Sequence, residues 1–227
     1  MAVKERPILF SGPMVRAILD GRKTQTRRLV KLRDPSGTYS THDEVGWPYS
    51  ADEAGDWSPD PCPYGETGDR LWVRESFAPV PCSGGCEKYP EGFDPKVASV
   101  HQPNAPDTGW RYRATWEKSH GGHWKPSIHM PRAACRIVLE VTGVRVERLL
   151  DISRDDAFAE GVEAVNPYKL TPDLPPGMPA CFRDYQDSGN WFSADPVASF
   201  RSLWKSINGA ASWAQNPWVW VVKFRKA

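Results

Sequence analysis

Apolar side chains recur along this chain in short bursts, at two different periods, with proline- and glycine-rich stretches between them. The first burst has the helical period. Met14, Ala17 and Ile18 share one face, Ser11 stands where a cap is wanted, Pro13 suits the first turn, and Gly21 follows as a left-handed stop. Most of the rest has period two. Leu71, Val73 and Glu75 alternate within RLWVRESF, as do Trp110, Tyr112, Ala114 and Trp116 within WRYRATWE. In ACRIVLEVTGVRVERL, Ile137, Leu139 and Val141 occupy odd positions but Val144 and Val146 even ones. That parity change at Thr142-Gly143 predicts a bulge or sharp bend. Ser153, with Asp156 three residues on and Gly161 closing, predicts a short capped helix. Asp195-Pro196 opens a longer one, with Phe200, Leu203, Trp204 and Ile207 at i, i+3, i+4, i+7 spacing and Gly209 as its stop. The final run, PWVWVVKFR, alternates again.

Strands outnumber helices, no repeat is visible, and there is no strand–helix–strand alternation of the kind that builds a parallel sheet. The pattern predicts an α+β, β-rich fold: a small mixed β-barrel with two or three short helices. Its strands are expected around Leu71–Phe77, Arg111–Trp116, Arg136–Val146 and Trp218–Phe224. Segments near 34–67, 79–109 and 166–190 hold no lasting period and read as long loop insertions into one core, so residues 1–227 are expected to form a single domain.

Composition sharpens this picture in three places. The 227 residues carry 29 Lys plus Arg against 28 Asp plus Glu, a net charge of +1, which excludes a histone-like tail or a polybasic membrane anchor but not a local basic groove. Glycine and proline, 18 and 22 residues, are in excess, as the loops require. No apolar run has the length of a signal peptide or a membrane span, and the five cysteines are an odd number. A reduced, cytoplasmic protein without membrane contact is expected.

The segment from Gly21 to Arg28 holds the candidate chemistry. It packs four cations (Arg22, Lys23, Arg27, Arg28) and two hydroxyls (Thr24, Thr26) just after a helix stop. On composition alone this is either a solvated basic turn or a site. The order Gly21-x-Lys23-x-x-x-x-Arg28 resembles the signature of the ASCH domain, a PUA-like β-barrel family linked to RNA. Neighbouring blocks agree: PILFSGPMVRAILDGRKTQTRR, GDRLWVRESF, PSIHMPRAACRIVLEVTGVRVERL, ISRDDAFAEGV and FRSLWKSINGAASWAQNPWVWVVKF are similar to a longer, phage-associated ASCH subgroup. The resemblance implies a PUA-like barrel. Compact bacterial members include amidohydrolases that remove the acyl group of N(4)-acetylcytidine with a Lys, a Thr and a Glu. Residue by residue this implies Lys23, Thr26 and, on the short helix after the central strands, Glu160.

The trio makes chemical sense and carries two difficulties. A threonine hydroxyl needs a base to take its proton, and a lysine is that base only when its pKa falls towards neutrality, whereas a close carboxylate favours the ammonium. Lys23 and Thr26 would also point to opposite faces of a regular strand, so a turn must bring them together. Arg28, or backbone N–H groups near the Gly21 turn, would stabilise the oxyanion. Arg28, Arg74 and Glu75 either line a pocket mouth or form a surface ion-pair ladder. Trp72 and Trp124 either stack on a base or belong to the core. His129 and Arg132, just before a core strand, are further substrate-binding candidates. Cys62, Cys82 and Cys86, with His120 and His123, are soft ligands without the paired short spacing of a zinc ribbon, and no metal or other cofactor is expected. No P-loop, dinucleotide fingerprint or HExxH is present. The expected function is therefore deacylation of a modified cytosine nucleoside or nucleotide. A non-catalytic module binding RNA or a modified nucleotide, and a ribonuclease, are the alternatives.

Overall fold

The computed structural model describes residues 3–30, 49–51, 57–79, 110–116, 124–166, 179–187 and 191–227. Its strands are β1 (Glu5–Leu9), β2 (Gln25–Leu29), β3 (Tyr49–Ala51), β4 (Trp57–Pro59), β5 (Arg70–Arg74), β6 (Phe77–Pro79), β7 (Trp110–Tyr112), β8 (Val138–Arg148), β9 (Ala164–Val165), β10 (Cys181–Arg183), β11 (Trp191–Ser193) and β12 (Trp218–Lys226). The helices are α1 (Gly12–Leu19), α2 (Arg154–Ala159) and α3 (Pro196–Asn208).

Five strands form the main sheet in the order β1–β5–β8–β12–β2. The β1–β5 pair is parallel and the others are antiparallel. Centrality follows from side chains: Val219, Trp220, Val221 and Val222 of β12 are buried on both faces, which only an interior strand permits. The parity change in β8 is a bulge. Lys223 lies opposite Gly143 and Phe224 opposite Val141, leaving Thr142 without a partner. Beyond it the inward positions move from odd to even, as a one-residue insertion demands.

The fold is mixed α+β and rich in strands, as expected, and among the described residues the sheet does not close into a barrel. Its edges, β1 and β2, make no ladder with one another. A side chain spans the seam instead: Arg28 Nη2 donates to the carbonyl of Leu9, at 2.7 Å.

Other expectations shift in instructive ways. RLWVRESF is two strands, broken at Glu75-Ser76, and the second, β6, leaves the sheet to pair with β7. The strand expected to reach Trp116 stops at Tyr112, where the chain turns and Thr115 N donates back to Tyr112 O at 3.1 Å. The segments read as loops contain β3, β4 and β10. Ser11 sits at the α1 N-cap without a side-chain capping bond. Ser153 does cap α2, accepting from Asp156 N at 3.1 Å. Asp195 caps α3 through Val197 N and Ala198 N at 3.0 and 3.1 Å. On α3, Phe200, Leu203 and Trp204 enter the core as the spacing requires, but Ile207 is 58% exposed.

The core lies between the sheet and the helices. Val15 and Ile18 of α1 meet Leu71, Leu139, Val141, Val219 and Val221 of the strands and Ala157 of α2. A smaller cluster of Phe77, Met130, Ala134 and Cys135 supports β6 and β7. At six residues α2 is too short to persist alone, so its place is set by tertiary contacts. It ends at Gly161, whose φ of +83° suits glycine and whose missing side chain makes room: a Cβ there would lie 2.7 Å from Lys23 Cβ and 2.9 Å from Ala17 Cβ. Gly161→Ala should therefore destabilise the fold by about 2–4 kcal/mol through strain and overpacking together. Urea denaturation of parent and variant measures this, and a loss below about 0.5 kcal/mol would show that α2 does not press on Lys23.

Candidate active site

Lys23 is delivered by the end of α1. Gly21 turns the chain at φ +74°, and Arg22 N and Lys23 N both donate to Ala17 O, at 2.9 and 3.0 Å. Thr24 then fastens the segment on two sides, with its N–H on Ala159 O at 2.9 Å and its carbonyl taking Phe224 N at 2.8 Å. Lys23 thus precedes β2 and is not bound by strand alternation.

The ammonium of Lys23 is buried and fully used. Nζ donates to Gln25 O at 2.8 Å, Glu160 O at 2.8 Å and Glu160 Oε2 at 2.9 Å, and the two side chains of this ion pair are 2% and 3% exposed. Burial pulls the Lys23 pKa below the ordinary lysine value. The Glu160 carboxylate opposes that shift, while the charges of Arg28 and Arg27 add to it.

Strand alternation sends Gln25 and Arg27 towards α2. Gln25 Nε2 donates to Asp156 O and Oδ1 at 3.1 and 3.0 Å. Arg27, whose side chain is wholly buried, gathers three carboxylates. Its Nη1 holds Glu160 Oε1 at 3.1 Å, Nη2 holds Asp156 Oδ2 at 2.9 Å, and Nε holds Glu147 Oε1 at 3.0 Å. Arg145 closes the cluster on Glu147 at 2.8 Å and Asp156 at 3.0 Å. Each oxygen of Glu160 therefore has its own cation, which fixes the carboxylate plane and leaves no buried charge alone.

Lys23, Thr26, Arg28 and Glu160 all line one cavity of about 530 Å3, a volume suited to a small organic ligand. The seam between the sheet edges contributes Leu9, Phe10 and β2, and α3 forms another wall. Thr26 is a buried residue of this lining. Phe10 lies beneath two cations, with Lys23 Nζ 5.5 Å and the Arg28 guanidinium 5.2 Å from its ring centre. The backbone N–H groups near the Gly21 turn are all engaged, from Gly21 N on Ile18 O to Thr24 N on Ala159 O, so they are not free to bind an oxyanion.

The remaining candidates lie outside the cavity lining. Glu75 is buried in a bidentate pair with Arg136, at 2.8 and 3.0 Å. Arg74 stacks on half-buried Trp72 at 5.3 Å and donates to Ile128 O. Arg132 pairs with Glu5 at 3.0 Å and lies 6.0 Å from the Trp72 ring. His129 is exposed in the short turn Ser127–His129, and Trp124 is half-buried. Cys62 is buried, and desolvation pushes its thiol up to about 11. Cys82, Cys86, His120 and His123 lie outside the described residues, among which no group of three or more His, Cys, Asp or Glu could hold a metal. Arg27, Gln25, Glu147 and Asp156 were missed. The one available signal was Asp156, which sequence reading used only for its cap position.

Compared with protein-family models, curated proteins and solved structures, the chain matches none.

Replacing Arg27 by Met keeps volume but strips three carboxylates of a partner. The expected cost at neutral pH is about 3–5 kcal/mol. For Asp156, desolvation raises the pKa, but the Gln25 hydrogen bond and the charges of Arg27 and Arg145 outweigh it and hold the carboxyl below its ordinary value. Its contribution is therefore complete above the unfolded-state pKa and fades as pH falls through the lower folded-state one. The stability gap between parent and Arg27→Met should accordingly narrow on acidification. Denaturant titrations at pH 7 and at about pH 3, below the ordinary aspartate value, test this, and a gap independent of pH would assign the loss to packing alone.

Proposed function

We propose that this chain is an ASCH-like hydrolase that removes the acyl group from the exocyclic amine of a modified cytosine nucleoside or nucleotide. The observation that carries the reading is the buried Lys23–Glu160 pair, 2.9 Å apart, opening with Thr26 onto a ligand-sized cavity. The Gly21-x-Lys23-x-x-x-x-Arg28 motif supports it independently.

The steps begin when Lys23 loses a proton and gives up one of its three hydrogen bonds, which frees a lone pair for Thr26. Neutral Lys23 takes the proton of the Thr26 hydroxyl as Oγ1 attacks the amide carbonyl carbon. Arg28 spends one N–H on Leu9 O, lines the cavity, and is the donor suited to the oxyanion. Lys23 then returns the proton to the departing cytosine amine as the C–N bond breaks, leaving an acyl ester on Thr26. Water, activated by the same amine, hydrolyses that ester and restores both residues. Glu160 holds Lys23 in position throughout and is itself held by Arg27.

Lys23→Met should lower kcat on N(4)-acetylcytidine by about 100- to 10,000-fold. The fold should persist, because Arg27 still neutralises Glu160. Thr26→Val, which preserves shape and removes the nucleophile, should abolish turnover. Parent-like turnover by Thr26→Val would overturn the nucleophile assignment. Binding of N(4)-acetylcytidine without cleavage by the parent would make the cavity a non-catalytic reader.

The pH dependence has a definite sign. The base must be neutral and its pKa is lowered, so kcat/KM should rise with pH through a midpoint below the ordinary lysine value of about 10.4. A rate that falls over that range would exclude Lys23 as the base.

A further inference from the structure

The cavity lining carries charge at Lys23, Arg28 and Glu160, uncharged polar groups such as Tyr64 and Asn208, and apolar surface at the strand ends and on α3. Leu9 closes β1 at 42% exposure, Leu29 closes β2 at 37%, and Ile207 stands in the last turn of α3 at 58%; all three line the cavity. Leu203, one turn back on the same helix, lines it from within. Singly exposed leucines and isoleucines need no explanation. Three of them, from three separate elements, converging on the mouth of a cavity with a charged floor do need one. The helical stripe of α3 continues a turn beyond the core and presents Ile207 to this space.

We propose that this apolar rim is an acyl-chain subsite, and that the preferred substrate carries a hexanoyl-sized aliphatic acyl group on the cytosine amine. The inference rests on the deacylase reading above and names its substrate class. A nucleoside offers hydroxyls, ring nitrogens and, when phosphorylated, anionic oxygens, all of which suit Arg28 better than Leu29 or Ile207. The acyl chain is the part of such a molecule without polar atoms. With its carbonyl at Thr26, an acetyl group ends one carbon beyond the reacting atom, whereas a longer chain continues onto the rim. Each methylene moved from water onto aliphatic surface favours binding by roughly fourfold, and that gain enters kcat/KM whenever it persists in the transition state.

Two measurements on the full chain test the subsite. The first is kcat/KM for N(4)-hexanoylcytidine against N(4)-acetylcytidine. The second is the calorimetric affinity of N(4)-hexylcytidine against N(4)-ethylcytidine, amines that no deacylase can cleave. The longer compound should win by at least about tenfold in each. Ile207→Ser and Leu29→Ser, at exposed positions where the thermal transition checks folding, should each shrink both ratios to about threefold or less. Parent ratios near one would overturn the subsite, as would variants that keep the full preference. If neither acyl compound is cleaved, the deacylase reading falls. The alkylamine pair then still decides the rim: a retained preference for hexyl supports it, and equal or undetectable binding of both overturns it.

Discussion

A carboxylate sealed from water must be met by cations, and Glu160 is the point where this structure satisfies that demand. Its two oxygens go to different partners, Lys23 and Arg27, on either side of the start of β2. That arrangement, together with the Gln25–Asp156 and Thr24–Ala159 hydrogen bonds, sets the approach of α2 to β2, because a helix of six residues does not persist alone. Close approach then excludes a side chain at Gly161, where the end of α2 passes over Lys23. Glu147 and Arg145 extend the cluster onto β8, so one ionic group ties the sheet centre, its β2 edge and α2 together. Such clusters add little stability over a well-packed apolar core but tolerate few alternative geometries. Here the geometry they enforce is that of the cavity floor.

The cavity exists because the sheet does not close. Edges β1 and β2 meet through the Arg28–Leu9 bond and not through a backbone ladder. Had the two strands paired directly, side chains from both would have filled the seam, as they fill the interior of small barrels. Leaving it open places Phe10, Thr26 and Arg28 around one space and sets α3 across from them. Among the described residues, the open seam and the cavity are one structural fact.

What could be read in advance follows the range of the interactions. The Thr142 bulge was visible because parity is a local property of one strand. Glu75 alternates with Leu71 and Val73 and is buried with them, but it was read as a pocket-mouth or surface residue, because its partner Arg136 is 61 residues away and left no trace in the pattern. The basic segment showed four similar cations. Docking of α2 sorts them, turning Arg27 inward to three carboxylates while Arg22 pairs at the surface with Asp20. Lys23 and Thr26 seemed badly spaced because a strand was extended in thought through both, whereas β2 begins only at Gln25. On α3 the periodicity was right, but periodicity cannot tell where the core ends and a cavity begins, and Ile207 lies past that boundary.

The charge balance of the floor bears on the state of Lys23. Around it, Glu147, Asp156 and Glu160 supply three negative charges, while Lys23, Arg27, Arg28 and Arg145 supply four positive ones. Arginine does not release its proton in proteins, so any neutralisation of the excess falls to lysine. Burial favours loss of a proton from Lys23, and the charges of Arg28 and Arg27 add to that push. Glu160 alone would hold the ammonium charged, as a lone buried ion pair does. Because Arg27 claims the other carboxylate oxygen and Asp156 and Glu147 in turn engage Arg27, the pull of Glu160 on Lys23 is shared. On the proposed mechanism, the conflict between a lysine base that must be neutral and a carboxylate that prefers it charged is thereby reduced by the residues that surround the pair.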